Sequence, residues 1–267
     1  MLLPTRSVEK PWGRDSLPAP FTVPAGQRIG EIWFEPPAQL PDLLVKYIFT
    51  SEKLSVQVHP SDEQTQAAGL GRQGKEECWL VIDAQPGAVL GVGFAGDLDQ
   101  AAMRAAALDG SIEDMLVWHA VKPGDFFYIP ANTVHAIGPG VAIIEIQQNS
   151  DLTYRLYDYG RPRELHLDQA IEVASGTPHD AQLRRHLPPS GSVPLVDGPF
   201  FTLDRVDGLA SPELLARYDG PLLAIPRVGD IAVDGQAISP GQCAFAPSLA
   251  DVHLARDGDC LIARALA

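Results

Sequence analysis

The chain carries only three cysteines, Cys78, Cys243 and Cys260, in an odd and widely spaced set. That count argues against a disulfide framework and offers no thiolate spacing for a metal. Basic runs are missing too, and the formal charge is −14 at pH 7. A nucleic-acid partner, whose phosphates demand a cationic face, is therefore not expected. No apolar stretch approaches the roughly 20 residues of a membrane span, and Met1–Ser7 lacks the apolar segment of a secretory signal. No membrane partner is expected, and the cytoplasm is the expected compartment. What the chain has in quantity is glycine and proline, 24 of each in 267 residues, which cut it into short segments. Short segments between turns suit a mainly β protein and not a helical bundle.

Three segments carry chemistry: Leu54-Ser55-Val56-Gln57-Val58-His59-Pro60, Lys75-Glu76-Glu77-Cys78-Trp79 and Pro130-Ala131-Asn132-Thr133-Val134-His135. Side chains two apart on a strand share a face, so Gln57 and His59 can grip one ion while Ser55 continues their row. Val56 and Val58 then turn the other way, into a core. Glu77 and His135 complete a set of two imidazoles, one carboxylate and one amide oxygen. Lone histidines are more often structural than ligating. Here each candidate lies in a run that predicts a strand, and Pro123-Gly124 through Pro130 reads as a turn, a strand and a stop.

Strands are expected over 43–49, 53–58, 78–82, 117–129, 134–137 and 141–147, whereas 11–32 is a Pro- and Gly-rich stretch with short apolar pieces. Ser61-Asp62-Glu63-Gln64 has the form of a capping box opening a short helix that ends at Gly69 or Gly71. An alanine-rich helix starts at Asp97-Leu98-Asp99-Gln100 and stops near Gly110, with a second from Ser111. Together they form a helical insertion around 97–116. Another helix begins near Leu167, and Pro188-Pro189-Ser190-Gly191 reads as a linker. Pro123-Gly124, Pro130 and His135 are echoed by Pro240-Gly241, Pro247 and His253 at nearly the same spacing. The echo predicts two β units of one design, 1–187 and 192–267. The second lacks a counterpart of Gln57, His59 and Glu77, so it is expected to be metal-free, with His253 structural.

These motifs resemble the cupin superfamily, and more narrowly the short bacterial form of the type I mannose-6-phosphate isomerases. Lys10-Pro11-Trp12-Gly13, Gly30-Glu31-Ile32-Trp33, the metal motifs, Thr153 through Arg161, and Arg163-Glu164-Leu165-His166 carry the likeness over about residues 8 to 170. The resemblance implies two cupin-type jelly-roll β-barrels and one zinc ion per chain, held by Gln57, His59, Glu77 and His135. A lysine, one variable residue and the ligand glutamate place the ligand at Glu77; Glu76 would face the opposite way on a strand. By the same likeness Glu145 is the acidic active-site residue, Arg155 the active-site arginine and Arg161 a phosphate-binding cation, while Lys75 and Ser55 line the cavity.

The implied reaction interconverts mannose 6-phosphate and fructose 6-phosphate by moving a proton between C2 and C1 through an enediolate. A carboxylate or amine must shuttle that proton, and a fixed cation or metal must lower the cost of charge developing on oxygen. Glu145, alone among apolar neighbours in Ala142-Ile143-Ile144-Glu145-Ile146, is the first candidate for the shuttle and Lys75 the second. Arg155 suits either the enediolate or, with Arg161 and a Ser55 hydroxyl, the phosphate. A non-enzymatic sugar-binding cupin and an isomerase of a related aldose are the alternatives. A dioxygenase is disfavoured by Gln57 standing where a histidine would be wanted. His119, His166, His179 and His186 are expected at the surface or in packing, and Trp12 and Trp33 in the core. No feature of the sequence calls for an oligomer, and a monomer is compatible with it.

Overall fold

The computed structural model describes residues 1–266. Sixteen segments in order build the first part: β1 Thr5–Arg14, β2 Ile29–Phe34, β3 Leu43–Phe49, β4 Val56–Val58, α1 Asp62–Ala67, β5 Glu77–Ala84, β6 Val89–Phe94, α2 Gln100–Asp109, α3 Ile112–Met115, β7 Leu116–Ala120, β8 Asp125–Ile129, β9 His135–Ile137, β10 Val141–Gln148, β11 Tyr154–Tyr157, α4 Leu167–Val173 and β12 Arg184–His186. The remainder holds β13 Val193–Asp197, β14 Phe201–Asp207, α5 Pro212–Arg217, β15 Leu222–Val228, β16 Ile231–Val233, β17 Gln236–Ile238, β18 Ala244–Ala246, β19 Val252–Leu254 and β20 Asp259–Ala265. The protein is mainly β. Its strands form four sheets, ordered β1-β2-β3-β10-β5-β8-β12, β11-β4-β9-β6-β7, β13-β14-β20-β15-β18 and β17-β16-β19. None closes into a barrel among the described residues.

Pairing order makes the echo visible. The run β3-β10-β5-β8 recurs as β14-β20-β15-β18, and β9-β6-β7 recurs as β19-β16-β17. Nothing in the second set corresponds to β4 or β11, the strands beside β9. His253 lies on β19 and is exposed.

Alternation assigns each face a neighbour. On the seven-stranded sheet, Val45, Tyr47, Ile144 and Ile146 point outward into a core shared with Phe201, Leu203, Leu223 and Leu261 of the second part. Their neighbours Lys46 and Glu145 point the opposite way. Ile48, Trp79, Val81 and Ile143 pack against Leu90, Val92 and Ile137 of the five-stranded sheet. The far face of that smaller sheet carries Val56, Val58, Val134 and Leu156, covered by Met103, Ala106 and Ala107 of α2 and by Ala170 and Ile171 of α4. These helices are thus an outer layer behind the five-stranded sheet, on the face away from Gln57. Asp99 caps α2 through Ala102 N–H, and Gly110 ends it in the left-handed conformation at φ 86°.

Two expectations are corrected. The stretch 11–32, read as Pro- and Gly-rich with short apolar pieces and given no strand, belongs partly to β1 and β2, because edge pairing tolerates Pro11 and Gly13 where propensity does not. The strand expected over 53–58 forms only at Val56–Val58.

Candidate metal centre and cleft

Register brings the site together. Gln57 on β4 lies directly opposite His135 on β9 and, on its other side, opposite Arg155 on β11. Across the cleft, Trp33, Lys46, Glu145 and Trp79 are directly paired neighbours on β2, β3, β10 and β5. Glu77 lies two pairs further along on the same face, opposite Gln147. Between the two sheets opens a cleft of about 490 Å³ with Ser55, Gln57, Lys75, Glu145 and Arg155 in its lining.

Local structure fixes the ligands before any ion arrives. The Ser61 capping box on α1 is present. Asn132, at φ 71°, donates its N–H to the His59 carbonyl at 2.8 Å and its side-chain amide to Gln64 at 2.7 Å. Gly74 sits so close to Pro60 that a Cβ would meet its carbonyl oxygen at 2.3 Å, so only glycine delivers Lys75 to the side of His59.

His59, Glu77 and His135 are buried, and one ligand atom from each lies within 4.8 Å of the others. The His59 Nδ1–H donates to the Leu152 carbonyl at 2.8 Å, and the His135 Nδ1–H donates to the Thr133 carbonyl at 2.9 Å. Both rings therefore turn the Nε2 lone pair toward Glu77, whose oxygens lie 3.6 and 3.4 Å from those nitrogens. Neither Glu77 oxygen receives a directed hydrogen bond, although the Lys75 ammonium lies 2.6 Å from Oε2. The same ammonium lies 3.2 Å from His59 Nε2; two neutral imidazoles aimed at one carboxylate make a donor set that fits a divalent cation. The Gln57 amide touches His135 Nε2 at 3.2 Å and takes the Ser55 hydroxyl on Oε1 at 3.1 Å.

Burial is the largest influence on this group. It lowers His59 to about 3, helped by the Lys75 cation, and it lowers His135 as well. It also opposes the Glu77 charge, but Lys75 and the two imidazoles hold that carboxyl well below its ordinary value. Burial works against the Lys75 ammonium, yet Glu145 and Glu77 together raise it. In the metal-free protein the unfolded chain takes protons first as pH falls below about 6.5. Stability is then fully present above that value and is lost progressively toward the folded value of His59. The melting temperature of chelated protein is expected to fall between pH 7.5 and 5; a flat profile would contradict buried neutral imidazoles.

Glu145 faces the cleft from the opposite sheet. Trp79 Nε1–H donates to its Oε1 at 3.2 Å, and the Lys46 ammonium lies 3.2 Å from Oε2 without a directed bond. Burial raises its carboxyl, Lys75 opposes that rise, and the Glu77 charge adds to it. Arg155 has no carboxylate partner among the described residues, and its Nε is buried without an acceptor. Arg161 lies outside the cleft lining: its guanidinium is held by Asp158, Glu52 and the Lys53 carbonyl at 2.8–3.1 Å.

Several cleft residues went unread in the sequence. Lys46 interrupts the apolar run Leu43–Phe49, the same signal that marked Glu145. His166, expected at the surface or in packing, lines the cleft, as does Arg163. Trp33, expected in the core, is half-buried in the lining; its Nε1–H donates to Glu31 at 2.7 Å, and the Lys46 ammonium sits 4.4 Å from its ring centroid. Trp12 is buried as expected and also reaches the cleft.

No family model matches the chain. It is 46% identical over 137 residues to mannose-6-phosphate isomerase ManA of Bacillus subtilis (strain 168), covering 49% of this chain and 43% of that protein. It is 41% identical over 169 residues to mannose-6-phosphate isomerase of Streptococcus mutans serotype c, covering 60% of this chain and 53% of the relative. The matched segments thus span about half the length of these relatives. In fold it is similar to the crystal structure of the mannose 6-phosphate isomerase from Bacillus subtilis, with a TM-score of 0.80, 24% identity and 98% of both chains covered. A phosphomannose isomerase from Salmonella typhimurium gives a TM-score of 0.71 at 15% identity, covering 100% and 99%.

Proposed function

We propose that the chain is a metal-dependent aldose–ketose isomerase acting on mannose 6-phosphate and fructose 6-phosphate. One observation carries the reading: a buried carboxylate between two Nε2 atoms lies against Lys75 and Gln57, which line a cleft together with a second buried carboxylate and an unpaired guanidinium. Gln57, His59, Glu77 and His135 would hold one zinc ion, which when bound supplies Lewis acidity toward the sugar oxygens.

The residues divide the remaining work. Glu145 takes the proton from C2 of the aldose and returns it to C1, while the hydroxyl proton passes from O2 to O1. Its raised carboxyl supports this assignment, since a stronger base matches a weakly acidic C–H better. Lys75 is the poorer shuttle, because Glu145 and Glu77 stabilise its ammonium and so withhold its lone pair. It is better suited to keep positive charge beside the reacting oxygens. Arg155, the cross-strand neighbour of Gln57, stands where it can meet the enediolate oxygen. Ser55 orients Gln57 and adds a hydroxyl to the cleft.

The recurring strand order supports two jelly-roll units, 1–187 with the insertion around 97–116 and a metal-free 192–267. Three free, buried cysteines and a sugar-phosphate substrate fit a cytoplasmic setting. The deciding experiment is isomerase activity on mannose 6-phosphate before and after chelation, with zinc restored. Activity that disappears and returns with the metal is expected. A fully zinc-loaded protein with no such activity would overturn the reaction and leave a sugar-binding protein.

A further inference from the structure

We propose that Arg163 and His166, beside Arg155 on the β11 side of the cleft, form the subsite that holds the substrate phosphate; this rests on the isomerase reading above. After β11 the chain reverses through Tyr159 and Gly160, both left-handed at φ 56° and 73°. It returns so that His166 N–H donates to the Arg155 carbonyl at 2.9 Å and Arg155 N–H donates to His166 Nδ1 at 3.3 Å. With Nδ1 accepting, the neutral ring carries its proton on Nε2 and offers a donor. Buried Asp158 grips Arg163 through Nε and Nη2, at 2.6 Å each, and leaves Nη1 uncommitted. Both side chains line the cleft.

The same turn sends Arg161 elsewhere, with Nη1 on Asp158 and Nη2 on Glu52 and the Lys53 carbonyl. Of the two arginines, only Arg163 lines the cleft, and its Nη1 makes no hydrogen bond among the described residues. Unneutralised Arg155 adds positive charge on the adjacent strand position. A fixed guanidinium, a ring N–H and a nearby surplus cation make a subsite for a phosphate monoester dianion.

The test uses the full zinc-loaded chain with Arg163→Gln, Arg163→Lys, His166→Phe and Arg161→Gln. Arg163→Gln and His166→Phe are each expected to raise KM for mannose 6-phosphate, and the inhibition constant of inorganic phosphate, by about tenfold or more. Turnover should stay within about threefold. Arg163→Lys, which keeps the charge and the Asp158 partner, should recover most of the loss. A merely structural role would lower zinc content or melting temperature without selectively moving the phosphate constant. If Arg163→Gln fails to fold, His166→Phe carries the test. Unchanged phosphate constants in the folded variants would overturn the subsite, as would a loss found only in Arg161→Gln. Calorimetric titration of the wild-type chain with inorganic phosphate separates the two readings. Arg163-dependent phosphate binding without isomerisation keeps the subsite and removes the reaction, whereas isomerisation with KM and phosphate constants unmoved does the reverse.

Discussion

Replacing Glu77 with glutamine is expected to remove metal and activity together. The carboxylate is buried, stands between two Nε2 atoms, and is the only charge in the donor set. An amide would present at best one weaker oxygen and would turn an N–H group toward lone pairs meant for a cation. Loss of an outer partner of a ligand already costs about 10–100-fold in metal affinity, so loss of the charged ligand itself should cost more. The change also leaves the Lys75 ammonium buried without its closest partner. Breaking a buried pair in this way costs about 3–5 kcal/mol, so the melting temperature should drop as well. His135→Ala separates the effects, because it removes a ligand and spares the Lys75 pair. Zinc per chain, measured by atomic emission, decides the matter: one equivalent retained in either variant refutes the ligand set.

Glu145→Gln should behave differently. Turnover is expected to fall by about 10²–10⁴-fold, while zinc content and KM stay near those of the parent. The residue touches Trp79 and Lys46 and no proposed ligand, so metal binding has no direct reason to follow it. A base must be ionised, and burial raises this carboxyl above its ordinary value of 4.5. Activity should therefore decline as pH falls through that raised value, giving an acid limb in kcat/KM above the ordinary carboxyl range. If Gln at position 145 keeps turnover within a few-fold, the shuttle lies elsewhere, and Lys75 is the remaining candidate.

Much of this site was legible because its residues break local rules. Gln57 and His59 flank Val58 in an alternating run, and Glu145 is the one charge in an apolar strand. Lys46 sends the same signal, yet its meaning depends on lying opposite Glu145, almost a hundred residues away, and register across that distance is set by the packed sheet. The Asp99 and Gly110 boundaries of α2 could be read because caps are local chemistry. β1 and β2 could not, since their exposed edge tolerates Pro11 and Gly13 and breaks the alternation. Arg161 and Arg163 differ by two positions in a turn whose left-handed residues decide which one enters the cleft. The echo of Pro-Gly turns was traceable in the sequence, whereas the lack of a β4 counterpart among the described strands emerges only from the pairing order.

The core shared by the two parts has a mechanical consequence. Every strand that carries Lys46, Trp79 or Glu145 also sends its alternate residues, among them Tyr47, Leu80 and Ile144, into packing with Phe201, Leu203 and Leu261. The second part thus serves as an anvil against which the cleft-facing side of the sheet is held flat. A cavity opened at Leu203 or Leu261 would let β3 and β10 shift and spoil the alignment of Glu145, a side chain it never touches. Damage far from the cleft would then look, in a kinetic assay, like a fault in the chemistry.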